Sequence, residues 1–350
     1  MRLDEVIAML PGWFPTVATF VFGTLWGSFL NVVIYRVPRD LSVVRPASRC
    51  PGCGTPIAGY DNIPVLSFLI LRGKARCCGA KMSPRYPLVE LIGGVISLAI
   101  WKVLIVGQLS ADVSFLKAVA IYWAYFALCL GLVAAAFIDA EHMFLPDSIM
   151  FGGIIVGIAT ATIRGMPLTD SIVGAVVGFL VIWLPFIFLY KGLLGRTGMG
   201  MGDAKLLALA GAWLGWPGAL FVIFAGAVQG TLYAMVLKVF GIQMKLPQAV
   251  IDDIEELKRE AEAGDEEAKK ALEEDPLTED EDDAFIIKFF RRLFRIPDPP
   301  PEPPQEKEEQ AEEDEEPRAR IPFGPFMILA ILELVFAHDF VAGYFRVLFP

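Results

Sequence analysis

Long apolar runs separated by short polar or basic stretches dominate this chain, and their length decides the fold class. Runs of about 20 apolar residues match the thickness of a bilayer core when coiled as α-helix. Eight such stretches are expected as membrane helices, at about 12–35, 86–107, 114–138, 148–163, 171–194, 204–216, 218–240 and 322–348. The fourth and sixth are short, and Pro185 inside the fifth is expected as a tolerated kink. Two stretches break the pattern. Residues 36–85 are rich in Pro, Gly and Arg with little helical periodicity, and residues 241–320 are strongly charged. The start, MRLDEVIAMLPGW, does not read as a signal peptide, because it lacks a basic opening and a small-residue cleavage site. No internal repeat is evident.

Composition agrees with this pattern. The 350 residues are 55% hydrophobic, above the usual level for a water-soluble domain even without the 32 glycines. A soluble enzyme, a disordered protein and a disulfide-rich secreted domain are thereby excluded. The net charge of −10 misrepresents the membrane body. Residues 252–320 hold 27 Asp and Glu against 11 Lys and Arg, so the remainder of the chain is net basic. Nine basic residues lie between Arg36 and Arg85 and none between Gly107 and Val113. The positive-inside rule then places the 36–85 loop in the cytoplasm and the N-terminus outside. Alternation brings residues 139–147, 195–203 and 241–320 to the cytoplasmic side.

Within 241–320 three parts are expected. IDDIEELKREAEAGDEEAKKALEEDP reads as a charged helix with i,i+4 pairs Glu255–Arg259 and Glu266–Lys270. FIIKFFRRLFRIP gathers Lys288, Arg291, Arg292 and Arg295 on one face, an amphipathic helix over 285–296 suited to a membrane surface. The proline- and glutamate-rich remainder reads as disordered.

Charged residues at membrane spans are functional candidates by default. Asp139 closes the third run in AAAFIDAEHMFLPD, and Asp203 opens the sixth in GMGMGDAKLLALAG, where Gly200 and Gly202 allow close backbone approach. Two carboxylates that meet can divide peptide hydrolysis, one taking a proton from water and the other donating to the carbonyl oxygen, because like-charge repulsion separates their titrations. Asp147 is an equally placed partner for Asp203, and either Asp147 or Asp203 also reads as a helix cap. His142 reads as a solvated loop residue, Cys129 as packed among helices, Glu90 as a residue near the site, and Glu333 as facing the bundle.

Of five cysteines, Cys50 and Cys53 form a CxxC half-site, and Cys77 and Cys78 lie adjacent further along the same loop. Four thiolates around zinc would make a closed structural site and staple a loop too small to hold a core. Adjacent ligands such as Cys77 and Cys78 demand an unusual local backbone.

GSFLNVVIYRVPR, the CPGC loop with YDNIPVLSFL, SPRYPLVELIGG, FIDAEHMFLPD, GMGMGDAKLLALAGAWLG and IPFGPF together resemble the type IV prepilin peptidase family, over most of the chain and in the expected order. The resemblance implies an all-α polytopic protein of the bacterial inner membrane, a GxGD-type aspartic protease with its site facing the cytoplasm. It implies a first helix (1–36), a Cys-containing loop domain tied to methyl transfer (37–85), a peptidase core (86–240), an acidic insert (241–320) and a last helix (321–350). It implies removal of the leader from prepilins or pseudopilins, followed by N-methylation of the new N-terminus with S-adenosylmethionine. Its first aspartate matches Asp139 and its second Asp203, which returns Asp147 to the cap reading. The family's second CxxC begins where this chain has Ala75, so Cys78 matches the fourth ligand and Cys77 is displaced. No Gly-rich nucleotide motif identifies residues for the methyl donor. Implied partners are the substrates, membrane lipid and components of a pilus or type II secretion assembly, with no nucleic acid. Two other readings stand beside it: a peptidase that cannot methylate, and an ion-coupled transporter, which would need acids near mid-span and inverted repeats.

Overall fold

The computed structural model describes residues 1–110, 112–190, 199–242, 246–263 and 321–348. Among them the chain is almost wholly helical. The helices are α1 (Leu3–Ala8), α2 (Phe14–Arg36), α3 (Leu66–Ile70), α4 (Arg85–Ala99), α5 (Phe115–His142), α6 (Asp147–Thr160), α7 (Leu168–Ile182), α8 (Met201–Val239), α9 (Gln248–Glu262) and α10 (Gly324–Leu348). The chain divides into two units, Met1–Met235 with Pro322–Pro350, and Val236–Ile321.

The eight expected crossings compare with five helical segments, among the described residues, long and apolar enough to span a membrane: Phe14–Arg39, Arg85–Gln108, Phe115–His142, Leu168–Leu189 and Met201–Val239. The apolar helices Asp147–Thr160 and Gly324–Ala337 fall short of that length. The sixth and seventh expected runs form the single element α8, broken at Gly215 (φ 73°, ψ 176°), with Pro217 just beyond. Gly215 takes a left-handed φ that a Cβ would oppose, and Pro217 cannot donate back into the preceding turn. Pro185 lies in a π-helical stretch, Trp183–Leu189, that continues α7. A second π-helical stretch, Ile100–Gln108, continues α4. Large apolar side chains such as Val17, Val21, Leu25 and Phe29 on α2 are exposed, the surface a helix presents to lipid rather than to water.

Small residues set how closely the helices approach. At the α2–α4 contact a Cβ on Gly27 would lie 2.7 Å from the Glu90 Cα and 2.9 Å from the Val89 carbonyl. At the α7–α8 contact a Cβ on Gly211 would overlap the Gly174 carbonyl. With no hydrophobic drive between helices in lipid, such backbone contact is a principal source of helix association. Polar side chains lock the same contacts. Ser171 donates to the Ala212 carbonyl (2.6 Å) and the Trp213 indole to the Gly153 carbonyl (2.9 Å). Arg164 lies 4.2 Å over the Trp213 ring and donates to the carbonyls of Gly157 and Trp213. Gln229 on α8 donates to Glu333 on α10 (2.8 Å), so Glu333 does face the bundle. Gly211→Leu has nowhere to place its side chain. A destabilisation beyond the usual overpacking cost of about 1–3 kcal/mol is expected, and a thermal melt of detergent-purified protein would show it.

The 36–85 loop is more ordered than its composition suggests. It holds a one-turn helix (Gly59–Asn62), α3, and two isolated antiparallel bridges, Arg49–Pro56 and Lys74–Lys81. The second unit contributes α9, where the expected Glu255–Arg259 pair is present at 3.4 Å. The Glu266–Lys270 pair, the amphipathic 285–296 segment and the proline-rich stretch lie outside the described residues.

Candidate active site and cysteine cluster

Asp139 lies in the last turn of α5, which ends when Met143 enters the left-handed region (φ 55°) and returns its N–H to the Asp139 carbonyl at 2.9 Å. The chain then passes through buried Leu145 and Pro146 into α6. Asp203 lies in the first turn of α8. Although 64 residues apart in sequence, the two carboxyl groups come within electrostatic reach of one another. Asp139 is only 6% exposed and Asp203 is half-buried.

Glycine backbone forms much of the wall around them. The Gly324 N–H, at the start of α10, is directed at the Asp139 carboxylate, and the Gly200 N–H at Asp203. A Cβ on Gly324 would overlap Asp139 Oδ2, and a Cβ on Gly202 would meet the Leu145 Cβ at 3.2 Å. Of the GMGMGD glycines, Gly200 therefore supports the carboxylate and Gly202 lets α8 reach Leu145. Gly324 was not singled out from sequence. Its signal was the IPFGPF motif, which carried no residue role until α10 placed it against Asp139.

Asp147 behaves differently. It is the first residue of α6, its side chain makes no capping hydrogen bond, and Pro146 occupies the cap position. The cap reading is therefore replaced by an ion pair with Lys205 at 2.5 Å, with the Asp147 side chain 60% exposed. Nearby, Arg85 at the start of α4 pairs with Glu141, two residues after Asp139. His142 packs against the Phe144 ring.

The four loop cysteines meet. Cys50 and Cys78 Sγ are 3.6 Å apart, Cys53 and Cys77 Sγ 3.3 Å, and all four sulfurs lie within 4.8 Å of one another. A tetrahedral zinc with Zn–S of about 2.3 Å needs its sulfurs about 3.8 Å apart, so the donor set and its spacing fit this metal. A repeat not evident in the sequence explains how adjacent cysteines can contribute. Cys50 N–H donates to the Thr55 carbonyl, Gly54 to Cys50 and Ile57 to Ser48. The same three bonds recur 25 residues on, from Ala75 to Ala80, Gly79 to Ala75 and Met82 to Gly73. Gly54 (φ 70°) and Gly79 (φ 72°) close the two turns identically. In this register Cys78 is the counterpart of Cys53 and Ala75 of Cys50. Cys77 is the counterpart of Gly52, at the turn's crown, where its thiol reaches the cluster from a different direction.

The thiols differ in acidity. Hydrogen bonds from the Thr55 hydroxyl and backbone bring Cys53 down to about 6, and the Gly52 and Cys53 N–H groups lower Cys50. Cys77, crowded first by Cys53 and then by Cys50, is pushed up to about 12. Four thiolates at such separations repel strongly without a cation among them, the electrostatic situation a divalent metal resolves.

Comparison with known proteins agrees with the motifs. The profile of the bacterial peptidase A24 N-terminal domain matches residues 21–104, and that of the type IV leader peptidase family matches residues 126–235. The prepilin leader peptidase/N-methyltransferase of Myxococcus xanthus (strain DK1622) is 40% identical over 237 residues, 65% of either chain. The protein of that name from Pseudomonas putida is 36% identical over 260 residues, 68% of this chain and 85% of that one. The Neisseria gonorrhoeae protein of that name is 37% identical over 250 residues, 63% of this chain and 81% of its own. No solved structure matches. With both profiles matching in order, and with the Pseudomonas putida relative covered over most of its length, the chain belongs to the type IV leader peptidase family.

Proposed function

We propose that this chain removes the leader peptide from prepilins or pseudopilins and then methylates the new N-terminal amine, with Asp139 and Asp203 as the peptidase pair. The observation that carries this reading is that those two carboxyl groups, from the end of α5 and the start of α8, lie within electrostatic reach of one another, Gly324 packing against the first and Gly200 against the second, while Gly324 and Gly202 both pack on Leu145. In hydrolysis one carboxylate takes a proton from water as the oxygen attacks the scissile carbonyl carbon. The other, protonated, donates to the carbonyl oxygen. Collapse of the tetrahedral intermediate returns a proton to the leaving nitrogen. The basic 36–85 loop supports a cytoplasmic site and an outward N-terminus in the inner membrane. The break at Gly215 supports α8 crossing twice, which with the two shorter helices makes up the eight-span bundle. The acids sit at helix ends rather than mid-span, which disfavours the transporter reading. Incubation of purified protein with a prepilin tests the proposal, and retention of full cleavage in Asp139→Asn would overturn it.

Cys50, Cys53, Cys77 and Cys78 would hold zinc as a structural staple of the loop, supplying fold stability rather than reaction chemistry. S-adenosylmethionine would supply the methyl group. Elemental analysis is expected to find about one zinc per chain, as a closed four-thiolate site binds one ion. Cys77→Ser should lose most of it. Because Ala75 is the counterpart of Cys50, Ala75→Cys in the Cys77→Ser background should restore it. Undiminished zinc in Cys77→Ser would remove Cys77 from the ligand set.

A further inference from the structure

One cavity in the first unit contains neither aspartate. It has a volume of about 790 Å³ and is walled by α2, the start of α4 and the Cys-containing loop. That volume suits a cofactor-sized ligand, for which pockets run to roughly 300–1,000 Å³. Two buried polar side chains line it, Asn31 with an unpartnered amide oxygen and Glu90 with a carboxylate that has hydrogen-bond donors, the Val65 N–H and the Ser28 hydroxyl, but no cation. Asn31 on α2 is 4% exposed and donates through Nδ2 to the Tyr86 carbonyl at 3.1 Å, while its Oδ1 has no hydrogen-bond partner. Glu90 on α4 is 9% exposed and accepts from the Val65 N–H at 2.7 Å. No cationic side chain among the described residues pairs with Glu90. A buried carboxylate without a cation is costly, and so is a buried amide oxygen without a donor. Their conjunction selects a ligand that brings positive charge and N–H or O–H groups. The rings of Phe68 and Tyr86 line the same space and offer stacking and cation–π surfaces.

We infer that this cavity is the methyl-donor site, with the cationic methionine end of S-adenosylmethionine held against Glu90 and Asn31 and its adenine among the loop aromatics. The inference rests on the N-methyltransferase reading and assigns it residues. In the transfer, the lone pair of the neutral N-terminal amine attacks the methyl carbon and an N–C bond forms. The C–S bond breaks with its electrons going to sulfur, leaving a neutral thioether, and the methylated ammonium gives its extra proton to water. The positive charge moves from sulfur to nitrogen within the field of the Glu90 carboxylate. One feature joins this site to the peptidase pair: Tyr86, in the cavity wall, follows Arg85, which is paired with Glu141 two residues beyond Asp139. Cys50 and Cys77 also line the cavity, so the cysteine cluster shapes its wall.

Equilibrium dialysis of labelled S-adenosylmethionine against the detergent-purified full chain tests the assignment. Glu90→Gln and Asn31→Leu should each weaken binding by about 10-fold or more, the loss expected when a charge-assisted contact of about 1.5–3 kcal/mol is removed. Methylation should fall further than leader cleavage, with zinc content and melting temperature retained. Ultraviolet cross-linking of the labelled donor to unmodified protein needs no variant. The label should map to peptides covering residues 25–36 and 56–90. Label confined to peptides carrying Asp139 or Asp203, or undiminished binding in Glu90→Gln, overturns the site while leaving the methyltransferase reading intact. A wild-type protein that cleaves prepilin but neither binds nor transfers the methyl group overturns both.

Discussion

Asp139→Asn and Asp203→Asn should each reduce leader cleavage by about 10²–10⁴-fold, the usual cost of losing a positioned acid or base. Asparagine keeps the shape of the side chain and its contact with the glycine N–H but cannot take or give the proton. Both variants should therefore insert, fold and melt as the wild type does. Asp147→Asn is the internal control. Its exposed pair with Lys205 is worth about 1 kcal/mol at most, so cleavage should stay within about fivefold of wild type. Time courses of prepilin processing, read on gels with matched membrane levels, check all three. A dead Asp147→Asn beside an active Asp139→Asn would reassign the first aspartate.

Gly324→Ala should be nearly as damaging to cleavage without removing any ionisable group. The added methyl would overlap Asp139 Oδ2, so the carboxyl group must shift from its place. A displacement of about 1 Å at reacting groups can cost about 10²-fold. The variant should lose that much cleavage while zinc content, expected to depend on the four-cysteine cluster on a different part of the chain, stays at the wild-type level. Processing rate and zinc content measured on the same preparation separate this local effect from general unfolding.

How much of this was legible beforehand follows from the physics of each feature. The helices were legible because bilayer thickness imposes a length on apolar runs, and α2, α4 and α5 fall within a few residues of the runs at 12–35, 86–107 and 114–138. Even the break in α8 was marked, by Gly215 and Pro217 between two runs. The number of crossings was less accessible, since Asp147–Thr160 and Gly324–Ala337 are too short to be counted by length. Asp139 and Asp203 stood out because a carboxylate bordering an apolar run is costly to bury. Choosing Asp139 over Asp147 took the family motif, because the two flank one short connection, at the end of α5 and the start of α6, and differ in what surrounds them: buried surroundings for Asp139 and Lys205 for Asp147. The cysteine turns hid their repeat because the shared feature is a hydrogen-bond register, with Ala75 standing where Cys50 stands in the first turn. Of the cavity at Asn31 and Glu90, only Glu90 was legible, as an acid near a span. The cavity is assembled from α2, α4 and a loop, and no local pattern records that Asn31 Oδ1 would end without a partner.

The proposed enzyme cuts with its aspartate pair and supports methylation in a separate cavity. The most direct measurement is mass spectrometry of a prepilin incubated with purified protein and labelled S-adenosylmethionine. Wild type should yield a product that lacks the leader and carries one methyl group on its new N-terminus. The Asp139→Asn, Asp203→Asn double variant should yield only the uncut, unmethylated precursor, because no free N-terminal amine is released for methylation. A leaderless product from the double variant, or an intact precursor from wild type, would contradict the account.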